Sequence, residues 1–322
     1  MAAVAETDFQ VTRGNDRRSV AIAAVLMVTF LVLAPFVLYP VFLMKALCFA
    51  LFACAFNLLI GYVGLVSFGH ALYFGWASYL AAYSAKSLGM PIEVAIVIGT
   101  ATAAVLGIIA GSLAIRRQGI YFAMITLALA QMMFLVALRV KLTGGEDGIQ
   151  AVPRGRLFGT FDLSNEMTMY AFVLVIVLAA FFLVYRIINS PFGEVLRAIR
   201  ENEQRTISLG YRTERYKLIA FVLSATLAGL AGSVKAFVFQ LASLTDVHWT
   251  MSGEVVLMTL VGGLGTIFGP IVGAFIVVAL ENYLAPFGQW VLVIQGCIFV
   301  VCVLLFRRGV VGEIAHWLRV RL

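Results

Sequence analysis

Three histidines, His70, His248 and His316, and four cysteines, Cys48, Cys54, Cys297 and Cys302, are the side chains of this 322-residue chain best suited to nucleophilic or metal chemistry. Their spacing argues against both. A zinc site needs ligands that converge, commonly from closely spaced Cys or His pairs. Here the histidines stand in three separate segments, and every cysteine lies inside an apolar run without CxxC spacing. The cysteines read as small buried hydrophobes, and no catalytic or metal-binding residue is expected. GGLGTIFG at 262–269 has a superficial likeness to a phosphate loop. It lacks the Lys-Ser/Thr ending and a preceding strand. It reads better as a tight turn or a broken helix.

A second set of polar side chains sits within apolar sequence: Asn57, Ser67, His70, Thr126, Gln131 and Thr259. Such residues can line a polar path across a membrane. They equally serve as hydrogen bonds between packed helices, the commoner use for each taken alone. Glu254 and Glu281 invite a proton-relay reading, but both fall near the ends of apolar segments, where exposure at the interface is the simpler account.

The richest concentration of charge is SPFGEVLRAIRENEQRTISLGYRTERYK, residues 190–217. Ser190-Pro191 is a good helix start, a capping side chain followed by proline at the first helical position. Phe192, Val195, Leu196 and Ile199 recur at helical spacing and make one apolar face. Glu194, Arg197, Arg200, Glu201 and Glu203 supply the charge, and Leu209-Gly210 looks like a stop. The pattern predicts an amphipathic helix over Pro191–Glu203 at a membrane surface. Arg212, Arg215 and Lys217 are then interfacial anchors for the return into the next apolar segment. A solvated loop obeying the positive-inside rule is the plainer alternative. The mixture of acids with bases favours a docking surface for a protein, since orientation alone needs no acids.

The elements that hold these residues are apolar. The chain is 62% hydrophobic and 12% charged, with a mean hydropathy of +1.02. Soluble domains carry roughly a quarter charged residues, and a span needs about 20 apolar residues. Segments of this kind fall at 20–39, 41–60, 61–83, 92–114, 119–140, 167–188, 218–239, 253–264, 268–285 and 288–306. The glycine-rich first half of 61–83 is read as unwound, and 253–264 is short for a span. Basic residues at Arg13, Arg17, Arg18, at Arg116, Arg117, in the charged stretch and at Arg307, Arg308 all fall on one side. The positive-inside rule makes that side the cytoplasm. The expectation is an all-α integral membrane protein of about ten helices. It has a cytoplasmic tail at 1–19, a membrane domain at 20–308 with a cytoplasmic loop at 189–217, and a tail at 309–322. Lys45 is expected to snorkel to the outer interface. Little length remains for a soluble catalytic domain, and no basic face on a folded domain supports nucleic-acid binding.

Three stretches, FGEVLRAIRENEQRTISLGYRTERYKLIAFVLSATLAGLAGS, GYVGLVSFGHALYFGWASY and LVGGLGTIFGPIVGA, carry a family resemblance over almost the whole chain. The chain resembles the M-type permease subunits of high-affinity branched-chain amino acid ABC importers. That resemblance implies the type II importer permease fold, a multi-pass protein of the bacterial inner membrane with both termini inside. It implies a second, H-type permease, two ATPase subunits that bind ATP and Mg, a periplasmic solute-binding protein and contact with membrane lipid, with no cofactor in this chain. It also implies that Phe192, Glu194, Leu196, Arg197, Ile199, Arg200, Glu201 and Glu203 form the ATPase-coupling helix. Two positions depart from the pattern: Leu65 stands where many members have Gln, and Arg205-Thr206-Ile207 where alanines are common. Relatives in this group carry other amino acids, urea or short amides. An ion-coupled secondary transporter would instead want ionisable groups near the midplane. A membrane enzyme would need a convergent reactive set.

Overall fold

The computed structural model describes residues 21–157, 159, 161–305 and 309–317. The tail expected at 1–19, the Arg307-Arg308 pair and the end of the chain past Trp317 lie outside the described residues. In chain order the helices are α1 (Ala21–Phe36), α2 (Pro40–Tyr62), α3 (His70–Lys86), α4 (Ile92–Ala114), α5 (Ile120–Arg139) and α6 (Glu166–Ile188). There follow α7 (Pro191–Glu201), α8 (Glu203–Ser208), α9 (Thr213–Phe239), α10 (Trp249–Gly262), α11 (Gly269–Leu284), α12 (Val291–Leu305) and α13 (Gly309–Trp317). Five of them, α2, α4, α5, α6 and α9, are long and apolar enough to cross a membrane. The stretch from Gly309, expected as a tail, is helical and packs back on α10 and α11.

The core is built around α2. Its sequence is apolar on every side, and a helix without a polar face must be surrounded by protein; 89% of its spanning window is buried, against 22% for α5. α9, α6 and α11 pack on it, and α3 and α4 pack in turn on α9. Small residues set that second layer. A Cβ at Gly232 would overlap the Phe74 carbonyl, and one at Gly229 would overlap Ala103. This is the close backbone approach that small residues allow between helices in lipid. α4, α5 and α6 turn apolar side chains such as Val97, Met124 and Phe182 outward.

Between α5 and α6 lies a loop with three two-residue strands, β1 (Ile149–Gln150), β2 (Arg156–Leu157) and β3 (Phe161–Asp162). β2 pairs with β3. β1 pairs antiparallel with β4 (Leu241–Ala242), Ile149 opposite Ala242, and so ties this loop to the end of α9. Arg154 reinforces the tie by donating to the carbonyls of Phe237 (3.2 Å) and Val238 (2.7 Å). Those carbonyls lie in the last turn of α9, where they lack intrahelical partners and a cation is favourable.

α3 and α10 are each short for a span, and each follows a stretch that is not α-helical. α10 has 14 residues, about 21 Å of helix against a hydrocarbon core of roughly 30 Å. α3 starts deep: His70, its first residue, bonds to Ser224, and Ser224 lies about 16 Å along α9 from Thr213 at 1.5 Å per residue. The residues before each helix, 63–69 and 240–248, are not α-helical. The unwinding expected in the first half of 61–83 is therefore present, though it begins only after α2 has run on to Tyr62.

Candidate functional site

α7 forms as its sequence predicts. Ser190 caps it by accepting from the Gly193 amide (3.4 Å), with Pro191 in the first turn. Gly193 sits so close to the Ile187 and Ile188 carbonyls that a Cβ would overlap them, which makes the turn out of α6 tight. Leu196 and Ile199 are buried. Phe192 stacks on Tyr216 at 5.6 Å between ring centres. The apolar face thus rests on α2, α6 and α9. Glu194, Ala198 and Glu201 point to solvent on the other side. The Glu194–Arg197 contact, 3.6 Å and largely exposed, holds little energy.

The arginines of α7, though substantially exposed, reach the end of α2. Arg197 lies over the Tyr62 ring at 5.5 Å. Arg200 donates to the Gly61 carbonyl, one of the last carbonyls of α2, where a cation is favoured. Its chain runs past Gly64, and its guanidinium reaches Gly265 in the α10–α11 turn. Gly64 (φ +81°) and Gly265 (φ +75°) both hold left-handed backbone, which only glycine adopts without strain.

The helix is shorter than the expected Pro191–Glu203. Asn202 takes extended backbone (φ −158°, ψ 97°), and its side chain accepts from the Arg205 amide (3.0 Å) to cap α8. Glu203 therefore leaves the α7 face. It pairs with Lys217 at 2.5 Å and accepts from Thr213 (3.0 Å) and Gln118 (2.9 Å). Lys217 is correspondingly buried, a structural tie where the sequence suggests an interfacial anchor. Asn followed by Glu is itself a helix-start signal, and it marks this break in the sequence.

The structure places the polar residues of the apolar segments as follows. Asn57 clamps the α10–α11 turn, donating to the Thr266 carbonyl (2.9 Å) and accepting from the Gly265 amide (3.0 Å). Thr126 donates to the Ala123 carbonyl (2.9 Å) and accepts from the Phe68 amide (3.2 Å). Ser67 accepts from the Gly69 amide (3.2 Å). His70 is boxed by Phe56, Tyr73 and Phe221, with its Nε2 2.8 Å from Ser224 Oγ. Ser224 donates onward to the Ala55 carbonyl (2.5 Å), so its lone pair must receive the His70 Nε2 proton. Thr259 donates within its own helix. Gln131 is half-buried on α5 and makes no hydrogen bond among the described residues. Asn57, Ser67, His70 and Thr126 thus gather around the unwound stretch 63–69 and the α10–α11 turn, while Gln131 stands apart.

Charge pairs are the feature that sequence reasoning missed. Lys235 of α9 meets both carboxylate oxygens of Asp246, at 2.7 and 2.6 Å, in a site only 10% and 3% exposed at the side chains. Lys45, 31% exposed at its side chain, pairs with Glu281 at 3.0 Å across α2 and α11. Glu281 is accordingly partnered rather than free at an interface. No cluster of three or more metal-ligating side chains occurs among the described residues.

A bundle of apolar helices with two interrupted members, ion pairs inside it and one charged surface helix has the make-up of a multi-pass membrane protein. The family profile described as branched-chain amino acid transport system / permease component matches residues 39–304. The chain belongs to that family of permease components. It is 26% identical over 276 residues to the high-affinity branched-chain amino acid transport system permease protein LivM of Escherichia coli, covering 79% of this chain and 65% of that protein. The Salmonella typhimurium LivM gives 25% with the same coverage. The ribose import permease protein RbsC of Bacillus subtilis is 30% identical over 51% of each chain. The matched region thus spans somewhat less than two thirds of the enteric relatives' length. No solved structure matches.

Proposed function

We propose that this chain is a membrane subunit of an ATP-driven importer for branched-chain amino acids in a bacterial inner membrane. About ten membrane-crossing segments, counting the two interrupted ones, form its half of a pore completed by a second, H-type permease. Two separate ATPases bind ATP and Mg at the α7 end, and a solute-binding protein delivers substrate at the opposite end. The observation that carries this reading is α7: its apolar face is fixed to the bundle, its arginines reach the end of α2, and its carboxylates Glu194 and Glu201 face outward, Glu194 meeting only the exposed Arg197 of its own helix at 3.6 Å and Glu201 no cation among the described residues. A helix held this way passes force inward, and an exposed acidic face suits a basic groove on a partner. Half-buried Gln131 on the sparsely covered α5 suits a pore wall shared with the second permease, since a polar side chain facing lipid alone is costly.

Other amino acids, urea or short amides remain compatible substrates for the same machinery, because a delivering protein does most of the selecting. The paired charges Lys45–Glu281 and Lys235–Asp246 favour a second reading, ion-coupled transport. Reconstitution with the partner permease, the ATPases and the binding protein separates the two. Branched-chain amino acid uptake should require ATP and all components. Uptake by this chain alone under an ion gradient would overturn the importer reading. Reversal of the outer face, E194K with E201K, should uncouple ATP hydrolysis from uptake by at least tenfold while leaving insertion intact; unchanged coupling would remove the docking role from α7.

A further inference from the structure

Where α4 ends and α9 begins, a cavity of about 510 Å³ opens between the α4–α5 turn and the α8–α9 turn. Its polar wall carries Arg116, Arg212, Arg215 and Glu214. Lys217 and Glu203 also face it but neutralise each other at 2.5 Å. Among the described residues none of the three arginines has a carboxylate at ion-pair distance. Set against Glu214, the wall holds a surplus of two positive charges. The apolar part of the wall is Ile115, Ile207 and Tyr211.

The cavity has an extension that distinguishes it from a surface basic patch. A second cavity of about 220 Å³ shares Ile115, Arg116, Glu214 and Arg215 with it and continues over Gly111, Ser112 and Leu218. Gly111 belongs to α4 and Leu218 to α9, both of spanning length. The neighbouring α4 side chains Ile108, Ile109 and Leu113 are exposed, so this flank faces lipid. A cationic mouth at the membrane surface that runs into an apolar groove between two spanning helices is shaped for an amphipathic anion.

We propose that this paired cavity binds one anionic phospholipid. Arg116, Arg212 and Arg215 surround its phosphate, and the first part of an acyl chain lies over Gly111 and Leu218. The phosphate would bridge the α4–α5 turn to the α8–α9 turn, alongside the Gln118–Glu203 hydrogen bond that already joins them. It would thereby brace α8, the element next to the surface helix α7. The site does not depend on which substrate is carried, so it stands or falls separately from the importer reading.

The test uses the full chain, purified in mild detergent and offered equal amounts of phosphatidylglycerol and phosphatidylcholine, with bound lipid counted by native mass spectrometry. One phosphatidylglycerol per chain should be retained in preference. Each arginine-to-glutamine change, R116Q or R215Q, should weaken that preference about fivefold, whereas K141Q in the α5–α6 loop should leave it intact. Equal retention of the two lipids, or retention unchanged in R116Q/R215Q, would overturn the proposal. So would displacement of the lipid by inorganic phosphate with the same arginine dependence, which would make the site one for a free anion. Should the double variant not fold, a photoreactive phosphatidylglycerol on the unaltered chain decides: labelling within 111–118 or 212–218 supports the site, and labelling elsewhere removes it.

Discussion

Residues 63–69 and 240–248 interrupt two crossings of the same fold, and the two interruptions are held by different forces. The first rests on hydroxyl and imidazole hydrogen bonds to backbone and to one another: Thr126 to the Phe68 amide, Ser67 to the Gly69 amide, His70 to Ser224 and on to Ala55. The second rests on a full ion pair, Lys235 with Asp246, and Asp246 also accepts from the Ser243 amide at 3.3 Å. The two regions meet. The Ala71 amide donates to Ser252 in the first turn of α10 (2.9 Å), and Gly75 of α3 lies against the Asp246–Val247 backbone. Hydrogen bonds between membrane helices are each worth about 0.6 kcal/mol, up to about 1.7. A buried pair is all-or-none, because removing one partner strands the other charge. The first break is therefore built from small, partly redundant increments and the second from one large one.

Substitutions at five positions test that contrast, ordered by expected size. D246N or K235M alone should cost about 3–5 kcal/mol, read as a large loss of thermal stability in detergent. K235M/D246L should recover most of it, since apolar groups of similar volume replace buried pairs without penalty. Equal losses for single and double variants would show that the pair is not the fastener. G75V comes next, at about 1–3 kcal/mol, because its side chain would drive into the Asp246–Val247 backbone and pry the regions apart. N57A should cost about 1–3 kcal/mol by orphaning the Gly265 amide and the Thr266 carbonyl, with faster proteolysis at the α10–α11 turn as the check. S224A should be mildest, near 1 kcal/mol. If S224A matched D246N, the proposed division between the two breaks would collapse.

The sequence made some of this legible. An apolar run without a polar stripe marks α2 as central, and Ser190-Pro191 with apolar residues at helical spacing marks α7. Glycines 61, 64 and 69 mark the first break: Gly64 holds left-handed backbone, and Gly61 and Gly69 let Gly265 and Thr126 approach closely. The second break was illegible for a physical reason. Lys235 in GSVKAFVF and Asp246 in SLTDVHW each look like ordinary interfacial polar residues; only the folding back of residues 240–248 buries them together. Lys45 and Glu281 are separated by 236 positions and hide for the same reason. The Asn202 break left a local signal, yet the continuous amphipathic pattern of α7 outweighed it. Of the residues gathered near the first break, sequence could name the polar side chains but not their partners, most of which are backbone groups.

Arg200 touches three places that no local pattern connects: the Gly61 carbonyl, Gly64 and Gly265. Its single side chain, stem and guanidinium together, makes those three positions mutationally interdependent. A methyl group at Gly64 or Gly265 would press on the same side chain, so the cost of either should change once Arg200 is shortened. A methyl at Gly61 would crowd Asn57 and the Gly265 amide, bringing Asn57 into the same set. Drift at this corner of the molecule is expected to proceed through compensated groups of substitutions. A variant tolerated in one sequence background would then be lethal in another that differs only in the length of residue 200.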